Sequence, residues 1–322
     1  MKIIIRNCNV AELDIPLKYA TKLYNEFAIR HPNAFYLRTR QRGMQNWDGK
    51  IKYITKTGQF KIGLLPSVYK RCIELGIKPI IVDMRQPLPK VSKVVTQIGK
   101  YKLRPEQEKA VKAILSNKLG ETPFQIGVLD YTVNAGKTLI MSALYLSYKK
   151  QLKTLLITND SDWLNQARDE FKQYLPGEDI TFVQGKVLNW SNFTIGMVQS
   201  ISRNMKYYQN ELAKIDMVLI DEADQGGSKQ YQNVITRLFN TRVRIGLSGT
   251  IYMSKLAKDK VKNMNLRCFF GDVIAEFKLK DSIKKGYSTK TIVKTVEGKP
   301  WFGNWESDCM SYNEIYDDSI TH

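Results

Sequence analysis

One short segment of the sequence has the residue types needed to hold a triphosphate. Residues 124–129 form an apolar run, and Tyr131-Thr132-Val133-Asn134-Ala135-Gly136-Lys137-Thr138 follows it before a second apolar run. A strand, a loop and a helix in this order place loop amides and a helix N-terminus around phosphate groups. Gly136 permits close approach, the Lys137 ammonium can reach the terminal phosphates, and the Thr138 hydroxyl can bind Mg²⁺.

The loop alone is ambiguous, because Tyr131 stands where the full phosphate-loop pattern has a glycine. A turn carrying a surface lysine is the alternative. A second segment favours the phosphate loop: the predicted strand 216–220, apolar from Met217 onward, leads into Asp221-Glu222-Ala223-Asp224, and Glu222 lies 85 positions after Lys137. In phosphate-loop enzymes one carboxylate at a neighbouring strand end holds Mg²⁺, and another can orient or deprotonate the attacking water. We predict these roles for Asp221 and Glu222, rather than a helix start enriched in acids.

The segments around these motifs alternate between helical and β-branched patterns from about residue 98 onward. This alternation predicts an α/β fold with a parallel sheet and crossover connections. Its predicted strands are 124–129, 154–158, 193–198, 217–220 and 244–247. Residues 1–97 mix short strands and helices, and Gln86-Pro87-Leu88-Pro89 marks a linker. Strands are predicted there at 2–6, 35–42, 51–54, 63–65 and 79–82, and helices at 16–29 and 67–75.

The charge of the chain is strongly positive and unevenly distributed. The net charge is +19, of which residues 1–100 carry +13. A basic first third favours a polyanionic partner over a merely solvated surface, because phosphate contacts release counterions. Side chains two apart on a strand share a face, so a strand over 35–42 would align three arginines, and the next strand two lysines, on either side of a tryptophan. We predict that these residues bind DNA, although a core tryptophan and solvated arginines are the alternative: Arg38, Arg40, Arg42, Trp47, Lys50 and Lys52.

The composition also disfavours several other classes of protein. The four cysteines are scattered and the only histidines are His31 and His322, which disfavours a zinc site, a disulfide framework or a histidine-dependent hydrolase. No apolar run approaches the ~20 residues that a membrane span needs. We therefore expect a protein without a membrane partner, in a reducing cytoplasm.

The motifs together resemble the first motor domain of superfamily-two helicases, which has a RecA-like fold. Asp221-Glu222-Ala223-Asp224, Leu247-Ser248-Gly249-Thr250 and Ala135-Gly136-Lys137-Thr138 carry the resemblance, and Leu103-Arg104-Pro105-Glu106-Gln107 resembles the adenine-reading segment just upstream. The resemblance implies ATP and Mg²⁺ as cofactors. It also implies base contacts from Arg104 and Gln107, with Asn134 and Ala135 in the phosphate loop. Asp224, Ser248 and Thr250 would couple hydrolysis to DNA movement.

Further segments resemble the parts of these motors that touch the DNA strand. Residues 155–159 with 163–166 are similar to one such motif, although Asn159 replaces its usual proline. Gly196-Met197-Val198-Gln199-Ser200 is similar to another, which implies strand contacts from Gln199 and Ser200. Residues 46–51, 270–274 and 283–287 resemble segments of the phage UvsW-type branch-migration helicases, in which a small N-terminal domain precedes the motor.

This resemblance implies an organisation and a function. We expect a small basic α+β DNA-binding domain over 1–97, a RecA-like motor domain over 98–287, and the start of a connection to a second motor domain over 288–322. Only 72 residues follow Thr250, too few for that second domain, so we expect an N-terminal fragment, or a natural chain whose second half is separate, with weak ATP turnover. The expected function is an ATP-dependent DNA helicase or translocase on branched or forked DNA, phage-encoded and acting in the host cytoplasm. A restriction-type translocase, a DNA-binding module with a silent nucleotide site and an RNA helicase are the alternatives.

Overall fold

The first hundred residues build a small four-stranded sheet from short alternating segments. The computed structural model describes residues 1–41, 43–91, 93–187, 190–252 and 257–290. The sheet contains β1 (Lys2–Ile5), β2 (Val10–Asp14), β5 (Gln59–Lys61) and β6 (Ile80–Asp83), in the order β5-β2-β1-β6. A separate hairpin pairs β3 (Ala28–Arg30) with β4 (Lys50–Lys52). The helices of this part are α1 (Leu17–Glu26), α2 (Ala34–Arg40) and α3 (Leu65–Glu74).

The segment predicted as a strand over 35–42 is wrong, because the chain forms α2 there. Only Ala34 of this helix is buried, so no buried face enforces the two-residue alternation of a strand. The hairpin partners lie on either side of the segment and pair with each other, which leaves it as their connection. Arg38 and Arg40 therefore lie about 200° apart around a helix rather than on one strand face. Arg42 lies outside the described residues.

The strand predicted over 63–65 is also wrong. Residues Ile62–Leu64 form a 3-10 turn that runs directly into α3, whose first turn contains Pro66. Proline suits the first turn of a helix because the missing N–H has no partner there in any case. Gly63 sits so close to the rest of the chain that a Cβ there would lie 2.1 Å from the Arg267 carbonyl oxygen.

The remainder of the described chain is organised around a seven-stranded sheet in which every pairing is parallel. Its order is β13-β14-β12-β15-β16-β11-β17. The strands are β11 (Ile126–Tyr131), β12 (Thr154–Thr158), β13 (Ile180–Val183), β14 (Phe193–Met197), β15 (Met217–Asp221), β16 (Val243–Ser248) and β17 (Val273–Phe277). This confirms the predicted α/β fold. The edge strands β13 and β17 were not predicted, because their partly exposed residues give no continuous apolar run.

Helices cover this sheet and connect its strands. They are α4 (Pro105–Ser116), α5 (Lys137–Ser147), α6 (Ser161–Tyr174), α7 (Val198–Arg203), α8 (Met205–Ala213), α9 (Lys229–Ile235), α10 (Ala257–Phe270) and α11 (Leu279–Lys284). Two separate two-stranded antiparallel sheets lie in the same part of the chain. One pairs β7 (Gln97–Ile98) with β8 (Tyr101–Lys102), and the other pairs β9 (Lys118–Leu119) with β10 (Thr122–Pro123). In the described part of the chain no helix is long and apolar enough to cross a membrane.

A buried arginine joins the small sheet to the parallel sheet. Arg244 lies on β16 and is almost wholly buried. Its Nη2 donates to the Cys8 carbonyl oxygen and to Asn9 Oδ1, both at 2.9 Å, and its Nη1 donates to the Phe269 carbonyl oxygen at 3.3 Å. One hydrophobic core contains side chains from both sheets, among them Ile5 of β1 and Val128 of β11. Met1–Tyr287 accordingly form one compact unit, and residues 291–322, which include Cys309, lie outside the described residues.

Candidate nucleotide site and nucleic-acid interface

The predicted phosphate loop lies between the end of β11 and the start of α5. Gly136 and Asn134 both adopt the left-handed conformation, with φ of 72° and 61°. A Cβ at Gly136 would lie 2.3 Å from Gln107 Nε2, so only glycine fits this turn. Tyr131, at the position where a glycine was expected, ends the strand instead, and its buried hydroxyl donates to the Glu106 carbonyl oxygen at 2.8 Å. The loop thus keeps the left-handed turn at Gly136 that leads into α5, although the first glycine of the pattern is missing.

The two motifs that the sequence separates by 85 residues meet at the carboxyl edge of the parallel sheet. β15 ends at Asp221, and β16 lies between it and β11. The Lys137 ammonium lies 3.7 Å from Asp221 Oδ1 and 3.3 Å from Glu222 Oε1. A cation and two carboxylates at one sheet edge, beside the N-terminus of α5, can together bind phosphate, a divalent cation and a water molecule.

The side chains of Asp221 and Thr138 are suited to hold Mg²⁺ beside a bound triphosphate. Both residues are buried, and Asp221 Oδ1 has no hydrogen-bond partner within the described part of the chain. Mg²⁺ in phosphate sites takes one or two protein oxygens, and water and phosphate supply the others. A cluster of three or more acidic, histidine or cysteine side chains is not needed for such a site, and the described residues contain none.

Burial raises the pKa of Asp221 from 3.8 to about 6, Lys137 opposes this rise, and the Glu222 charge adds to it. Between these two pH values the folded chain holds a proton that the unfolded chain has released. The stability that this proton contributes is complete below about pH 4 and is lost as pH rises through about 6.

Replacing Asp221 by asparagine should therefore stabilise the chain at neutral pH, by about 1–3 kcal/mol, because the buried charge is removed. The advantage should vanish below about pH 4, where aspartate is neutral in both states. Urea unfolding of the two proteins across this pH range measures the difference. Asp169→Asn, on an exposed part of α6, serves as the control. A variant that is less stable than the parent at neutral pH contradicts the assignment.

Glu222 adopts a backbone conformation that its residue type disfavours. Its φ is 50° and its ψ is 53°, in the left-handed region, at the start of a 3-10 turn over Ala223–Gln225. Such a conformation costs about 1–3 kcal/mol and persists where the surroundings enforce it, which is common at functional sites. Here it directs a half-exposed carboxylate toward Lys137, in a position to accept a proton from a water molecule.

The segment predicted to read the base is hydrogen-bonded to the phosphate loop. Gln107 is 2% exposed; its Nε2 donates to the Ala135 carbonyl oxygen at 2.9 Å, and its Oε1 accepts from the Arg104 backbone N–H at 2.8 Å. Arg104 Nη2 donates to the Asn134 carbonyl oxygen at 3.0 Å. This network supports the loop from the first turn of α4, so base contacts from Arg104 and Gln107 remain a proposal.

Two residues near the end of the first unit join this network and were not predicted as part of the site. The Tyr287 ring stacks on the Arg104 guanidinium, 4.4 Å from ring centre to Cζ, and Lys285 Nζ lies 2.7 Å from Glu106 Oε2. Burial would have been the only signal for Glu106, since a buried carboxylate needs a cation. Sequence alone does not reveal that burial.

The residues predicted to couple hydrolysis to movement form one hydrogen-bonded cluster. Ser248 Oγ donates to Asp224 Oδ1 at 3.0 Å, and the Thr250 backbone N–H donates to Ser248 Oγ at 3.2 Å. β16 therefore connects physically to the turn that follows β15.

The two segments predicted to touch the DNA strand also meet. Gln199 Nε2 donates to the Asn159 carbonyl oxygen at 3.2 Å, which links the ends of β14 and β12. Ser200 Oγ accepts from the Gly185 backbone N–H at 3.1 Å. Gln199 Oε1 is buried without a hydrogen-bond partner among the described residues, so it retains an unused acceptor.

The predicted basic surface of the first part is only partly assembled. Lys50 is exposed on β4, whereas Lys52 pairs with Asp48 at 3.2 Å and lies over the Tyr24 ring. The Trp47 indole N–H donates to the Lys50 carbonyl oxygen at 3.0 Å, and its ring packs edge-on against His31. Arg38 and Arg40 are exposed on α2.

Comparison with known proteins agrees with this geometry. Residues 100–253 match the family described as the res subunit of type III restriction enzymes. The ATP-dependent DNA helicase uvsW of Enterobacteria phage T4 is 23% identical over 272 residues, which cover 78% of this chain and 51% of that protein. A protein of Acanthamoeba polyphaga mimivirus, named as an ATP-dependent RNA helicase, is 26% identical over 147 residues, 45% of this chain and 27% of that protein. The chain spans about half or less of the length of these curated relatives.

A solved structure shares the fold of nearly the whole described chain. The crystal structure of the UvsW helicase from bacteriophage T4 matches with a TM-score of 0.66 at 20% identity, covering 85% of this chain and 100% of that one. Taken with the phosphate loop and the acidic pair, the matched family and the uvsW relative support the predicted resemblance to superfamily-two helicases. Among the proteins compared, the similarity to T4 UvsW extends over most of this chain.

Proposed function

We propose that this chain binds ATP with Mg²⁺ and forms the nucleotide-binding part of an ATP-dependent helicase or translocase. The observation that carries the proposal is the convergence of Lys137, Asp221 and Glu222 at one edge of the sheet, 3.7 and 3.3 Å from the lysine nitrogen to the two carboxylates. A partly buried cation between two acids has an alternative partner in the β- and γ-phosphates of a nucleotide.

The chemistry follows from what each residue can do. The amides of residues 134–136 and the N-terminus of α5 would hold the phosphates, and Lys137 would exchange its carboxylate contacts for phosphate oxygens. Thr138 and Asp221 would hold Mg²⁺, which neutralises phosphate charge when bound. Glu222 would take a proton from water as the water oxygen bonds to the γ-phosphorus. The bond to the bridging oxygen then breaks, leaving ADP and phosphate.

The proposed polynucleotide is DNA in a branched or forked form, processed during recombination, repair or replication. Gln199 and Ser200 would contact a single strand at the motor, and Arg38, Arg40 and Lys50 would contact phosphates at the first domain. The strongly basic first hundred residues and the DNA helicase named among the relatives support this choice.

Turnover is proposed to need a second RecA-like domain. Charge that develops on the γ-phosphate during hydrolysis is stabilised in these motors by cations from the facing domain. Residues 1–97 would serve as the DNA-binding domain, 98–287 as the first motor domain, and 288–322 as the start of the connection. On its own this chain would bind ATP weakly and hydrolyse it poorly.

A restriction-type translocase is the second candidate, favoured by the family matched over residues 100–253. It would use the same nucleotide site and differ in the activity attached to the motor. The mimivirus relative named as an RNA helicase makes RNA a necessary comparison in any test.

ATP hydrolysis measured with and without forked DNA tests the proposal, using this chain alone and joined to a second RecA-like domain. We expect the longer protein to turn over faster by at least tenfold, with stimulation by forked DNA exceeding that by linear duplex or RNA. Equal stimulation by linear duplex would favour the restriction-type translocase. Equal or greater stimulation by RNA contradicts the choice of DNA, and no turnover with any polynucleotide contradicts the motor assignment.

A further inference from the structure

Two neighbouring aromatic side chains project from the first domain into solvent. Phe35 is 80% exposed and Tyr36 is 56% exposed, at the start of α2. Single exposed apolar residues are ordinary on protein surfaces. Two adjacent aromatic rings on a helix that buries only Ala34 are a more specific feature, because the helix gains little from packing them.

The charges around these rings favour one kind of partner. Residues 27–52 contain six lysines and arginines and one acid, Asp48, and that acid is already paired with Lys52. Arg38 and Arg40 continue along the same short helix, and the Arg40 guanidinium lies 5.3 Å from the centre of the Tyr36 ring. A polyanion that also presents flat aromatic faces satisfies both the charge and the rings, and a nucleic acid with exposed bases has both properties.

The structure also separates these rings from the tryptophan that the sequence suggested for this role. The Trp47 indole N–H is bonded to the Lys50 carbonyl oxygen and its ring packs against His31, so it is partly buried and holds the start of β4 in place. Phe35 carries no polar group and has a largely free ring. Of Trp47 and Phe35, it is therefore Phe35 whose ring is accessible for stacking on a base.

We propose that Phe35 stacks on a nucleobase face exposed at a DNA branch point, while Arg38, Arg40 and Lys50 contact the flanking phosphates. This inference rests on the proposed function, since it specifies how the first domain recognises DNA. It differs from phosphate binding in one testable way. Stacking needs an exposed base face but no charge, so its contribution is independent of salt, whereas that of the arginines is not.

The test measures affinity for forked DNA by fluorescence anisotropy at several salt concentrations, with a relaxed closed-circular duplex as competitor that lacks exposed base faces. Phe35→Ala should weaken binding to the fork about tenfold, leave binding to the circle unchanged and leave the salt slope unchanged. Phe35→Tyr should restore most of the loss. Arg38→Gln with Arg40→Gln should weaken binding to both DNAs and flatten the slope of log affinity against log salt by roughly 0.9 per lost contact.

Leu17→Ala is the matched control, because Leu17 is a large apolar residue of the same domain that is 76% exposed. It should change neither affinity. The inference is overturned if Phe35→Ala binds the fork like the parent, or if it loses affinity for fork and circle equally. If the unaltered chain does not bind forked DNA at all, the proposed function itself fails, and this outcome is distinct from the other two.

Discussion

Replacing Lys137 by alanine should weaken the binding of ATP by about 2–5 kcal/mol, which is roughly 30-fold to several-thousandfold in affinity. The ammonium lies in a partly buried site and faces Asp221 and Glu222. Without the Lys137 ammonium, the carboxylates of Asp221 and Glu222 would lie beside the phosphates with no lysine charge to offset their repulsion. Titration with a fluorescent ATP analogue measures the loss directly and does not depend on turnover.

Lys109→Ala provides the control for this experiment, since Lys109 is exposed on α4 and belongs to the same unit. It should leave the affinity within about twofold, because exposed surface charges contribute little. In a longer protein with a second motor domain, Lys137→Ala should also abolish DNA-stimulated hydrolysis. Nucleotide affinity that survives the substitution would mean that the phosphates bind elsewhere.

Arg244→Ala should have the largest effect on folding, lowering the free energy of unfolding by about 3–5 kcal/mol. The substitution removes three hydrogen bonds from a charged donor and leaves the acceptors on Cys8, Asn9 and Phe269 without it. It also opens a cavity between the two sheets. Burial lowers the pKa of Arg244 to about 10, which leaves the guanidinium charged at neutral pH.

Urea unfolding of the whole chain at neutral pH tests this prediction, with Arg237→Ala as the comparison because Arg237 is exposed. The comparison variant should lie within about 0.5 kcal/mol of the parent. If Arg244→Ala does the same, the arginine is not what holds the small sheet to the parallel sheet. A separate early unfolding step in the Arg244 variant would show that the small sheet had become an independent unit.

The parts of the fold that sequence predicted well are those with one dominant physical signal. The central strands β12 and β15 are buried on both faces and therefore read as continuous apolar runs. The phosphate loop and the acidic pair were predicted because their chemistry dictates residue types at fixed positions. Their meeting at one sheet edge follows from parallel strands, whose carboxyl ends all lie on the same side.

The parts that sequence did not predict depend on tertiary contacts. The alternation of residues 35–42 suited a strand, but no neighbouring strand or buried face was present to select it, and α2 formed. The packing of Gln107 against the phosphate loop and the burial of Arg244 both involve partners far away in the chain. An arginine within the apolar β16 is visible in the sequence, and a charge inside a buried strand signals a buried partner, although it does not identify that partner.

The contacts of Arg244 and the close packing at Gly63, which hold the small sheet against the rest of the described chain, have a mechanical consequence. Because the small sheet and the parallel sheet share one core, we expect the separation between α2 and the phosphate loop to stay the same when nucleotide binds. If Phe35 binds the branch point of the DNA, the distance from the branch point to the proposed motor would then stay constant while the motor moves the strand. The number of nucleotides between the branch point and the motor would therefore be set by the folded chain.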